Sequence, residues 1–131
     1  MSLAKLGNSV KGYCLSYERR PTGRFLDKEA KSEVEWVSIN AARPRLMGWI
    51  HFAITILKEA KEFRPDFIIA ASNSTYGILG VWLGKRLGIP CIFDVYDNFE
   101  SFKAIHLPGV NPLYHWALIN ADLVTCVSQP L

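Results

Sequence analysis

Short, nearly unbroken apolar runs separated by stretches with helical spacing constrain this chain more than any other feature. Residues 66–71, 91–96 and 123–127 are such runs, rich in Ile, Val, Phe and Cys. A strand with one wet face alternates apolar and polar residues, whereas a strand covered on both faces reads as continuously apolar. Together with the apolar or β-branched stretches 10–17 and 34–39, they predict an α/β fold. Its centre is a Rossmann-like parallel sheet of about five strands, with helices on both faces as crossovers.

The connecting stretches support that grammar. Between the second and third strands, Leu46, Trp49, Ile50, Ala53, Ile56, Leu57, Ala60 and Phe63 form a wide stripe at helical spacing. A helix over 45–63 follows, opened by Pro44 in its first turn and stopped by Pro65. A second helix spans 75–87, with Ser74 or Thr75 as its cap and Gly88 as its end. A third spans 111–120, with Asn111 as cap and Pro112 at its first position.

Leu3-Ala4-Lys5-Leu6-Gly7 before the first strand repeats the pattern of 83–88 before a later one. The chain is therefore expected to begin inside a helix and to form one Rossmann-like domain, 1–131, truncated at both ends.

Composition narrows the function classes. A net charge of +3 with no basic stripe or aromatic stacking platform argues against nucleic acid. The longest apolar run, 46–57, is shorter than the roughly 20 residues that span a bilayer. No cleavable signal peptide opens the chain, so a cytoplasmic location is expected. Cys14, Cys91 and Cys126 are widely spaced in strand-like stretches and read as buried free thiols. His51 reads as a packed helix residue, while His106 and His115 lack the Cys or carboxylate spacing of a metal site. No G-x-G-x-x-G, P-loop or G-x-S-x-G motif follows a strand, and Gly77, Gly80 and Gly84 lie along a helix instead.

In open parallel sheets ligands bind beyond the carboxyl ends of the strands. Two loops meet that condition. After the third strand comes Ala71-Ser72-Asn73-Ser74-Thr75-Tyr76-Gly77, whose small polar side chains and helical N–H groups can cap the helix, meet sugar hydroxyls, or do both. After the fourth strand, Asp94, Asp97 and Glu100 place three carboxylates within seven residues. A carboxylate at a sheet needs a partner, so Asp94 reads as a structural anchor, with Asp97 and Glu100 as candidates for a site.

From Arg64 to Ser128 the residues resemble the N-terminal domain of the retaining glycosyltransferases of group 1, or family 4. Arg64-Pro65-Asp66-Phe67-Ile68-Ile69-Ala70, residues 83–95, Asp94-Val95-Tyr96-Asp97 and residues 121–128 are similar, in order, to four motifs of that family. The resemblance implies two Rossmann-like domains (GT-B) facing across a cleft, of which this chain is part of the N-terminal, acceptor-side one. It also implies a nucleotide-sugar donor as co-substrate, no further cofactor, and a sugar or lipid-linked acceptor. Asn73, Ser74, Thr75, Tyr96, Asp97, Asn98 and Glu100 are then the candidates to line the acceptor cleft. Tyr96 stands where many members carry a histidine. The family's Gly-rich loop and paired glutamates have no counterpart in this sequence, so the isolated chain is expected to be inactive.

Two other readings remain open on the sequence. One is a non-catalytic binding or regulatory module of Rossmann or flavodoxin-like fold, since such folds host many functions. The other adds peripheral membrane contact through Arg19, Arg20, Arg24, Arg43 and Arg45.

Overall fold

The computed structural model describes residues 3–18, 21–29, 32–41, 45–95 and 108–126. A 3-10 turn, Leu3–Leu6, is followed by β1 (Val10–Ser16), β2 (Gly23–Glu29), β3 (Ser32–Asn40), α1 (Arg45–Phe63) and β4 (Ile68–Ala71). Then come α2 (Ser74–Leu87), β5 (Cys91–Val95), α3 (Val110–Asn120) and β6 (Leu123–Cys126). The α/β class is the expected one, with the strands arranged as two three-stranded sheets, β1-β3-β2 and β4-β5-β6. The chain divides into two compact units, Met1–Glu59 and Ala60–Leu131.

In the first unit β1 and β3 pair in parallel, Val10 opposite Val34 through Ser16 opposite Asn40. The strand β2, absent from the sequence expectation, pairs antiparallel with β3 along the outer edge. Its sequence, with Arg24, Asp27, Lys28 and Glu29 among seven residues, lacks the period of a buried strand, as suits an edge kept from pairing further by charge. Val37 and Ile39 of β3 and Phe52 and Ile56 of α1 are buried. Gly48 lets α1 approach the end of β3, since a Cβ there would lie 2.5 Å from that of Ala41.

The helix α1 has the bounds its stripe predicts. Arg64 ends it in a left-handed conformation, φ 50°, and donates its N–H to the Ala60 carbonyl at 2.9 Å. The α region is disfavoured before proline, so Pro65 prevents another turn. Pro44, expected in the first turn, lies outside the described residues.

The second unit is the parallel sheet that the apolar runs predict. Ile68 stands opposite Cys91, and Ile92 opposite Leu123. Its core gathers Ala70, Val81, Cys91, Phe93, Tyr114 and Ala117, so α2 and α3 pack on one side of β4 and β5. Phe93, fully buried, meets the Tyr114 ring edge-to-face at 6.0 Å, a favoured aromatic geometry. Gly77, Gly80 and Gly84 on α2 are explained here. A Cβ on Gly77 would lie 1.9 Å from the Phe93 ring, and one on Gly80 would lie 2.4 Å from the Ala70 Cβ. The glycines let a helix rest directly on the sheet.

Both helix starts differ by a residue or two from the sequence expectation. The helix α2 begins at Ser74 with Asn73 as its cap, not Ser74 or Thr75. The helix α3 begins at Val110, with Gly109 in a left-handed conformation (φ 84°) before it, so Asn111 and Pro112 lie inside its first turn.

Candidate functional site

The register of the second sheet sets Ala71, Asp94 and Thr125 side by side at the carboxyl end of its strands. From that edge the loop 72–73 leads into α2, and the chain leaves β5 at Val95. The two loops singled out in the sequence therefore start from the same edge of one sheet. Of the candidates, Tyr96, Asp97, Asn98 and Glu100 lie outside the described residues. Asn73, Ser74 and Thr75 lie within them.

The first loop is held by backbone and side chain together. Ser72 has a positive φ of 96°, a conformation that costs a non-glycine residue about 1–3 kcal/mol and persists only where its surroundings impose it. Asn73 is extended (φ −147°, ψ 170°), and its Oδ1 accepts the Tyr76 N–H at 3.1 Å and the Thr75 hydroxyl at 2.5 Å. The acceptor oxygen is thereby identified, and Nδ2 remains as the donor. Ser74 is buried at 5% exposure, whereas Asn73 and Thr75 are half-buried. The loop thus presents an amide donor, a hydroxyl and the first two N–H groups of α2, those of Ser74 and Thr75.

Asp94 accepts the Thr125 hydroxyl at 2.6 Å, tying the ends of β5 and β6 together. That contact supplies the partner its carboxylate requires. At the opposite end of the sheet, Asp122 accepts the Cys91 N–H at 2.8 Å and donates its own N–H to the Cys91 carbonyl at 2.9 Å. Burial, and then the nearby Asp122 carboxylate, push the Cys91 thiol up to about 11.

The structure corrects several expectations about single residues. Of the three thiols only Cys91 is buried. Cys14 is half-buried and Cys126, where β6 ends, is exposed. His51 is exposed on the outer side of α1, not packed, and His115 is exposed beside the Tyr114 ring. His106 lies outside the described residues, and among those residues no group of His, Cys, Asp or Glu could hold a metal ion. Arg24 is a strand residue. It lies on β2 and is paired with Glu35 at 2.6 Å and with Glu59. Arg19, Arg20 and Arg43 are outside the described residues. No helix among those residues is long and apolar enough to cross a membrane.

The sequence reading missed a charged cluster in the first unit. Glu59 of α1, only 6% exposed, accepts the Tyr13 hydroxyl at 3.2 Å, pairs with Lys11 at 3.3 Å, and pairs with Arg24. Lys11 also meets Glu35 at 3.1 Å. Burial, followed by the charge of Glu59, raises the Tyr13 hydroxyl well above its ordinary value. Hydrogen bonds from Arg24 and then Lys11 hold the Glu35 carboxyl below the usual range. The one available signal was Glu59 itself, a charge three residues after Ile56 on the buried stripe of its helix. Two carboxylates facing two cations and a phenol satisfy each other, so the cluster fastens α1 to β1, β2 and β3 and leaves no group poised for chemistry.

The family model for the glycosyl transferase 4-like domain matches residues 2–131. The chain belongs to this family. No curated protein matches the sequence. As a glycosyl transferase 4-like domain the chain is a transferase domain, in agreement with its resemblance over 64–128 to the N-terminal domain of family 4 glycosyltransferases. The match also takes in β2, β3 and the Glu59 cluster, which the four motifs do not reach.

Proposed function

We propose that this glycosyl transferase 4-like domain serves the transfer of a sugar from a nucleotide-sugar donor to an acceptor, and that it contributes the acceptor side of the cleft. The observation that carries the reading is the loop 72–75 at the carboxyl end of the β4-β5-β6 sheet, where open α/β folds bind ligands. In this proposal the Asn73 Nδ2 donates to an acceptor oxygen. The Thr75 hydroxyl, which gives its proton to Asn73, accepts from an acceptor hydroxyl. Ser74 is too buried for its side chain to take part, and it acts through its backbone N–H at the helix N-terminus. Tyr96, Asp97, Asn98 and Glu100 complete the acceptor side in the same proposal. The donor is a co-substrate, and no further cofactor enters.

Asn73 has two duties that substitution can separate. Asn73→Ala removes both the cap and the amide donor, so stability falls by about 1 kcal/mol, the usual cost of losing a cap. Asn73→Asp keeps a capping oxygen and exchanges the amide donor for a carboxylate oxygen, whose charge the N-terminus of α2 accommodates. In the full-length protein, Asn73→Asp is expected to raise the acceptor KM about tenfold, the loss of one hydrogen bond from a neutral donor. The donor KM should stay as in the parent, and the melting temperature should not fall. An unchanged acceptor KM would overturn the role given to Asn73. Tight binding of a flavin or a free nucleotide by the domain would support a binding module in place of the acceptor side.

A further inference from the structure

We draw no further inference here: the strongest candidate, the exposed apolar face that Leu46, Met47, Ile50 and Ile54 form along the first half of α1, carries nothing because the structure does not show what covers it.

Discussion

Cys91 shows how one buried group makes the stability of this domain depend on pH. Its thiol is pushed up to about 11, first by burial and then by the Asp122 carboxylate, whereas a cysteine in an unfolded chain titrates near about 8.5. Between those values the native state holds a proton that the unfolded state has lost, so stability falls as pH rises. The contribution is complete below pH about 8.5 and disappears as the pH climbs through the native value. Urea midpoints measured from pH 8 to 10 should therefore fall for the parent, and fall less for Cys91→Ala, whose starting stability is lower. Tyr13, also raised by burial, is present in both proteins, so its titration cancels in the comparison. Equal slopes for the two proteins would show that Cys91 is not the group responsible.

Between elements, stability rests on how closely α2 lies against the sheet and on how α1 is fastened. Gly80→Ala should raise intrinsic helix propensity by about 1 kcal/mol, yet its Cβ would sit 2.4 Å from the Ala70 Cβ in a buried contact. Overpacking of that kind costs about 1–3 kcal/mol, so the variant should be less stable in urea. Ala70→Gly in the same chain should recover part of the loss, a coupling that helix propensity alone cannot produce. In the other unit, Glu59→Ala leaves Lys11 and Arg24 facing a buried vacancy. A loss of about 3 kcal/mol is expected, the low end for breaking a buried pair, because Arg24 is exposed and retains Glu35. Denaturation of that variant should show a clear drop in midpoint; no drop would mean the cluster is solvated and nearly neutral. These contacts also mark what was legible in the sequence. The bounds of α1, the three parallel strands of the second unit and the Gly88 cap were legible because each signal is local: a stripe, an apolar run, a glycine with φ 71°. The strand β2 was not, since an edge strand wet on both faces has no period to read. The Glu59 cluster was not either, because its partners lie 48, 46 and 35 residues away. The position of Asn73 at the right edge of the sheet was legible, while its role as cap emerged only from the backbone at Ser72 and Asn73.

At the scale of the whole molecule, the proposed acceptor role requires a candidate site whose charge suits hydroxyls and not a diphosphate. The leaving group of a nucleotide sugar is a diphosphate, and its departure has to be stabilised by cations or by directed N–H groups. Among the described residues of the second unit, Lys85 lies near Asp122, at the opposite end of the sheet. The carboxyl edge of the second sheet presents instead Ser72, Asn73, Thr75, Asp94 and Thr125. The Asp94 carboxylate among these neutral hydrogen-bonding groups, joined in the proposal by Asp97 and Glu100, suits the hydroxyls of an acceptor and repels a diphosphate. The 131-residue chain is accordingly expected to move no sugar from any nucleotide-sugar donor and to show no heat of binding with nucleoside diphosphates in calorimetry. Mixtures of simple glycosides should give weak signals that Asn73→Asp reduces. Sugar transfer by the purified chain, or nucleoside diphosphate binding that survives physiological salt, would place donor chemistry in these residues and overturn the acceptor-side assignment.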